Sequence, residues 1–190
     1  MKIFAILFPV LLAGCISTPP SFHTGAIGVC PLLCEYGAYT QITADKAATA
    51  GHATFAVHWG AHPIGREDMA WFHHEGAAPV IRAPQLDEKV TCYGNSPVDA
   101  PVAENGWVLG THAFIQRADH KDWGIVFAVS IFPGFSGGGC YGADHALLGI
   151  ITDNFQITEG STYDGPAAFG YAANDIAASL KNQNREESKQ

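Results

Sequence analysis

Positive charge is what this sequence has least of. Ten Lys and Arg stand against eighteen Asp and Glu in 190 residues, a formal net charge of −8. The basic residues form no run, so binding to a nucleic-acid backbone, which takes clustered Lys and Arg, is excluded. Charged residues of both signs make up only 15%, too few for a disordered chain or a coiled coil. Internal repeats and low-complexity blocks are absent as well. The apolar run at the N-terminus, Ile3 to Leu12, is too short to span a bilayer as a stable helix.

Apolar residues are plentiful, at 47%, so a real core can be buried. Twenty-one glycines and eleven prolines are spread along the chain, which favours short strands joined by turns. The length suits one domain, or two small halves sharing a core. Ala38 to Ala50 reads as two strands around the turn Ala44-Asp45-Lys46. Further strands are expected at Ala53 to Trp59, Asp68 to Phe72, Lys89 to Tyr93 and Gly106 to Phe114. Trp123 to Val129, Ala146 to Thr152 and Ala167 to Ala172 complete the set. Asp175 to Lys181 is the one convincing helix, with Asn174 as its cap, and the polar tail 183–190 is expected to fray. Strands at this spacing indicate an all-β sandwich or barrel.

The first segment reads as an address. Lys2 precedes the apolar run, which leads into Leu12-Ala13-Gly14-Cys15. Residues 1–14 suit an export signal. The tetrapeptide resembles the lipobox of bacterial lipoproteins, in which the Cys is lipidated and becomes the new N-terminus. The resemblance implies a lipid on Cys15, a Pro-containing tether over 15–25, and attachment to the cell envelope. Ile16 resembles the sorting context of the outer membrane where the host has two membranes. The plainer readings are an ordinary signal peptide that contains a Cys, or a buried strand. The folded domain is expected over 26–182.

Setting Cys15 aside leaves Cys30, Cys34, Cys92 and Cys140. In an oxidising compartment they permit two disulfides, with three connectivities. The expected pairs are Cys30 with Cys34 and Cys92 with Cys140. Free buried thiols are the alternative. Zinc at Cys30 and Cys34 lacks a matching second ligand pair.

Three segments carry chemistry: Thr49-Ala50-Gly51-His52, Glu67-Asp68-Met69-Ala70-Trp71 and Gly134-Phe135-Ser136-Gly137-Gly138. A serine hydroxyl is a poor nucleophile until a base stands within hydrogen-bond reach, and that base needs an acceptor to fix its tautomer. Glycines around the serine permit a sharp turn and leave amides free for an oxyanion. In this order, the three resemble the trypsin/chymotrypsin-like serine proteases, especially their short bacterial and viral branches. ITADKAATAGH looks like that family's two strands before the histidine. LDEKVTCYGNSP resembles the start of its second barrel, ALLGIITDN its strand after the serine, and AAFGYA its last strand. The likeness runs from about Tyr39 to Leu180.

The resemblance implies two six-stranded antiparallel β-barrels and a short C-terminal helix. His52, Asp68 and Ser136 would be catalytic, and the amides of Gly134 and Ser136 would form the oxyanion hole. A specificity pocket would have its floor near Ser130 and walls at Thr152, Asp153, Asn154 and Gly170. Phe135 departs from the pattern: it stands where digestive members carry an Asp, so activation by pairing with a freshly cut N-terminus is not expected. Gly139 and Cys140 follow where many members have Pro. Only 16 residues separate His52 from Asp68, so the first barrel is expected to be abbreviated. Glu67 and Asp87 are the rival carboxylates. Ser130 is neutral, which favours an apolar side chain before the cut.

His58, His62, His73 and His74 lack metal-site spacing and read as structural or solvated. Trp59, Trp71, Trp107 and Trp123 read as core. The expected function is a serine endopeptidase of envelope or extracellular proteins, monomeric, with no cofactor and no metal. An inactive protease-like lipoprotein that binds a protein or peptide is the alternative, and a purely structural envelope β-barrel the third reading.

Overall fold

A computed structural model of the chain describes residues 24–29, 35–57, 60–66, 68–95, 101–116, 121–157 and 163–187. Cys15, Cys30, Cys34, His58, Trp59 and Glu67 lie outside the described residues, as does the expected signal segment. Eleven strands, one 3-10 helix and one α-helix make up the described fold.

The first unit is an open five-stranded sheet in the order β1-β2-β3-β5-β4. Its strands are β1 (Thr24–Val29), β2 (Glu35–Gln41), β3 (Lys46–Ala50), β4 (His62–Pro63) and β5 (Met69–His73). The second unit is a closed six-stranded barrel in the order β10-β11-β8-β7-β6-β9. It comprises β6 (Lys89–Asn95), β7 (Pro101–Gln116), β8 (Lys121–Ala128), β9 (Gly139–Gly142), β10 (Leu147–Ile157) and β11 (Gly165–Ala172). The helix α1 (Ala173–Glu187) follows directly. All named strand pairs are antiparallel. The architecture is all-β apart from α1, as the trypsin-like resemblance implies, and the first unit is the abbreviated one.

Alternation along each barrel strand sends one set of side chains inward. Val90, Cys92, Val108, Ile125, Phe127, Phe135, Cys140, Leu148 and Ile151 form the barrel interior. Each large apolar side chain buried there contributes about 1.5–3 kcal/mol. A second cluster joins the two units, with Ile42, Ile64, Met69 and Trp71 from the sheet packed with Tyr141, Leu147, Phe169 and Tyr171 from the barrel. Asn95, buried, stitches the same seam: its Nδ2 donates to the carbonyls of Gly25 and Gly37 at 3.2 and 2.9 Å. A disulfide links Cys92 to Cys140, which are register partners on β6 and β9.

Several expectations are corrected. Of the strand expected over Ala53 to Trp59, the described part is not a strand: Gly51–Val57 forms a 3-10 helix, with Thr54 Oγ1 donating to the Gly51 carbonyl at 2.6 Å. A short apolar run fits either structure, and this side-chain bond favours the tight turn. Thr24 and Gly25 belong to β1 and not to the tether, because Thr24 and Gly25 pair with Thr40 and Tyr39 of β2. The helix starts at Ala173, so Asn174 lies within it rather than capping it, and it continues to Glu187. Its polar last turns hold because Asn184 accepts a hydrogen bond from Lys46 on β3, and Gln183 donates to the Pro63 carbonyl at 3.0 Å. Trp107 and Trp123 are exposed, since alternation puts them on the outer face while neighbours such as Val108 point in. Trp71 alone of the described tryptophans is core. Among the described residues no helix is long and apolar enough to cross a membrane.

Candidate active site

Antiparallel β3 and β5 pair Ala50 with Met69, so the residues just beyond each strand end, Gly51 and Asp68, come face to face. Gly51 N donates to the Asp68 carbonyl at 3.1 Å. A Cβ at Gly51 would sit 3.0 Å from Asp68 Oδ1, so a side chain there would press on the carboxylate. The next residue, His52, opens the 3-10 helix. Its backbone N donates to Asp68 Oδ1 at 2.8 Å, and its Nδ1 lies 2.8 Å from Asp68 Oδ2. Both carboxylate oxygens are therefore committed to one residue, which fixes the imidazole's orientation. Among the described residues the 16-residue gap holds the 3-10 helix and the short β4, and it is long enough for the carboxylate to reach.

The serine comes from the barrel. Phe132 to Gly138 turns tightly, with Phe135 N donating to the Phe132 carbonyl at 3.2 Å and Gly138 N to the Phe135 carbonyl at 2.7 Å. Gly134 and Gly137 have φ of 108° and 88°, backbone that favours glycine. Phe135 is fully buried, edge-on to Phe132 with ring centroids 4.9 Å apart. Its ring packs so close to Gly94 that a Cβ there would meet it at 2.5 Å. The loop is thus anchored by an apolar side chain. The Ser136 carbonyl accepts from Ala38 N at 2.8 Å, and the Gly137 carbonyl from Thr40 Oγ1 at 2.9 Å, which ties the loop to the first sheet.

The result brings Ser136 Oγ to 3.0 Å from His52 Nε2. Asp68, His52 and Ser136 therefore form one hydrogen-bonded line across the seam between the units. The His52 imidazole has its pKa raised above the usual 6.5, chiefly by the hydrogen bond to Asp68; burial opposes this, and the charges of Asp68 and Asp153 add to it. Among the described residues, no acceptor engages the amides of Gly134 and Ser136.

A cleft of about 250 Å³ opens beside Ser136 and His52, lined by Ile131, Phe132, Pro133, Thr152, Asp153 and Asn154. Thr152, Asp153 and Asn154, expected as pocket walls, are among the residues that line this cleft. Ser130 and Gly170 do not line this cleft: Ser130 is exposed, and Gly170 lies in the barrel wall opposite Ile125 and Ile151. The apolar run Ile131-Phe132-Pro133, directly before the glycine-serine loop, was the overlooked part of the wall; its adjacency to Gly134 is the signal that finds it. A second cleft of about 310 Å³ lies on the other side of His52, with Arg66, Pro63, Met69 and Ala70 among its lining residues.

The remaining candidates have other partners. Asp87 sits in a turn at φ 61°, where its N donates to the Val108 carbonyl at 2.9 Å, and it is Asp68 that bonds to His52. His62 stacks on Trp71 at 4.7 Å, His73 meets the same ring edge-on, and His74 bonds to Tyr39 and Gln41.

No known family profile matches the sequence, and no curated protein matches it. Solved structures do. The Rv3671c protease of M. tuberculosis in its active form superposes with a TM-score of 0.63 at 14% identity, covering 95% of this chain and 92% of that one. The HtrA-type protease AlgW with a tripeptide gives 0.67 at 18% identity, covering 88% of this chain and 62% of that one. The MamO protease domain of Magnetospirillum magneticum gives 0.60 at 15% identity, covering 85% and 97%. At such identities the likeness is one of architecture, and the architecture it establishes is the trypsin-like serine protease fold.

Proposed function

We propose that this protein is a serine endopeptidase acting on envelope or extracellular proteins through His52, Asp68 and Ser136. The observation that carries this reading is the hydrogen-bonded line from Asp68 Oδ2 through His52 to Ser136 Oγ, at 2.8 and 3.0 Å. Asp68 holds the proton on Nδ1, which leaves Nε2 as the base. Ser136 Oγ bonds to the scissile carbonyl carbon as its proton passes to His52 Nε2. The carbonyl opens to an oxyanion, received by the amides of Gly134 and Ser136. Collapse breaks the C–N bond, and His52 returns the proton to the departing amine. Water then repeats the sequence on the acyl-enzyme, releases the carboxylic acid and restores Ser136.

Phe135 supports a loop set without N-terminal processing, since its anchor is apolar burial and not an ion pair. The substrate is a peptide or protein strand. The domain is proposed to be exported and held to a membrane by a lipid on Cys15. The segment from Cys15 to Thr24 reaches at most about 30 Å, which keeps the cleft near the surface it is anchored to. Palmitate incorporation lost in Cys15→Ala checks this placement.

Fluorophosphonate labelling of purified protein starting at Ser17 tests the catalytic reading. The wild type labels and Ser136→Ala does not. Folded wild-type protein that fails to label overturns the enzyme and leaves a protease fold that binds peptides.

A further inference from the structure

We infer that Asn95 and Thr40 are positioning residues for the oxyanion hole: they hold the serine loop in the shape that leaves the Gly134 and Ser136 amides free. The inference rests on the protease reading above and deepens it.

Backbone polar groups in a packed loop need partners, so this loop can be accounted for group by group. The carbonyls of Gly134, Ser136 and Gly137 accept from Asn95 N, Ala38 N and Thr40 Oγ1 at 3.0, 2.8 and 2.9 Å. Those of Phe135 and Gly138 accept from Gly138 N and Ile151 N. The amides of Phe135, Gly137 and Gly138 donate to the carbonyls of Phe132, Ile151 and Phe135. Among the described residues, the amides of Gly134 and Ser136 are left over. They are the pair that would receive the oxyanion. No peptide of the loop can turn without breaking one of these bonds, so the two amides are set before substrate arrives.

Two of the bonds reach through side chains to the first sheet. Asn95, buried, ends β6, and its Nδ2 gives its two hydrogens to the carbonyls of Gly25 and Gly37. Both partners can only accept, which fixes the amide's orientation. The side chain of Asn95 thus grips β1 and β2 while its backbone N–H holds the Gly134 carbonyl. The fit along β6 is close: a Cβ on Gly138 would lie 2.0 Å from the Tyr93 carbonyl oxygen.

Thr40, fully buried on β2, ends a second connection. Its single hydroxyl hydrogen goes to the Gly137 carbonyl, so it can only accept from Thr24 Oγ1, 3.4 Å away. Thr24 Oγ1 in turn accepts from the Tyr141 hydroxyl at 3.1 Å. Burial pushes the Tyr141 phenol up, so it stays a donor at neutral pH. The strand β1 therefore takes part in both connections, through Gly25 and through Thr24.

The oxyanion exists only on the way through the reaction. Groups that set its amides therefore act on kcat and leave substrate binding alone. The Asp68–His52 bond involves neither residue, so the pH limb of the rate stays in place.

The test uses protein starting at Ser17, fluorescent casein and a fluorophosphonate, with Thr40→Val and Asn95→Ala. Losing an oxyanion donor outright costs about 10²–10³-fold in kcat, and a group that acts through the loop should cost less, about tenfold in each variant. KM is expected to stay within about twofold. Fluorophosphonate labelling slows in parallel, because the phosphoryl oxygen enters the same hole. Thr40→Ser, which keeps the hydroxyl, restores both rates. An unchanged kcat in folded variants, or kcat, KM and the pH limb moving together, overturns the positioning role. Variants that unfold, judged by circular dichroism, show that the two side chains only dock the sheet on the barrel, and overturn it too. Wild-type protein that neither labels nor cleaves overturns the protease reading and this inference together.

Discussion

The open sheet and the closed barrel differ in what their strands are made of. β3 reads Lys-Ala-Ala-Thr-Ala and is buried throughout, yet it brings little apolar bulk. The barrel strands bury Val, Ile, Leu and Phe side chains around a closed seam that carries a disulfide. The barrel stabilises itself, while the sheet depends on its hydrogen bonds and on docking against the barrel and α1. The base and its carboxylate come from the sheet and the nucleophile from the barrel. Correct docking is therefore a condition for the site to exist. The bonds from Ala38 and Thr40 to the serine loop, and from Lys46 to α1, are what hold that docking.

The largest effect is expected on the sheet side of the seam. In Asp68→Asn the side-chain oxygen still accepts from His52 N, so folding is retained. The new amide can donate to Nδ1, which moves the ring proton to Nε2 and removes the base. Loss of kcat/KM on the order of 10⁴-fold is expected at neutral pH. A decline below tenfold, with the fold intact by circular dichroism, would show that Asp68 is not the partner that sets the tautomer.

The barrel side is sharpened by stability. The disulfide closes 48 residues of chain and sits on the β6–β9 seam, which has three register pairs against eight for β10–β11. Replacing Cys92 and Cys140 together by Ala should cost about 4 kcal/mol, from the loop-closure entropy returned to the unfolded chain. Urea unfolding reads it directly. A loss under about 1 kcal/mol would mean that the packed interior holds the seam without the covalent link.

The two regions were also unequally legible in the sequence. The barrel strands announce themselves by alternation and β-branched residues, and the serine loop by glycines whose positive φ has few other uses. Cys92 lies in an expected strand, whereas β9, which carries Cys140, is not among the strands the sequence suggests. In the sheet, the run from Ala53 reads as a strand because a short apolar stretch has no decisive period. The far end of α1 reads as frayed in the sequence because its polar residues are held by Lys46 and Pro63, more than a hundred positions away, which no local pattern records. Ser130 is expected in the pocket only from the resemblance, which is blind to how the Ile131-Phe132-Pro133 run lines the cleft. The bulge at Thr152, which positions Asp153, is a property of pairing with β11 and has no signature within β10 itself.

The smallest expected effect tests whether the barrel's charge reaches the sheet's base. His52 acts as a base only when neutral, and its pKa lies above 6.5 because of Asp68 first and Asp153 among the lesser causes. The rate should therefore rise with pH through a limb that inflects above 6.5. Asp153→Asn removes one raising influence and leaves the Asp68 bond, so the limb should move to lower pH. Stability follows the same sign. A raised folded pKa stabilises most where His52 is charged in both states, and the benefit fades as pH climbs through the folded value. Relative to wild type, Asp153→Asn should thus lose slightly more stability at acid pH than at alkaline pH. A pH–rate limb that stays in place would mean that the field of Asp153 is screened before it reaches the imidazole.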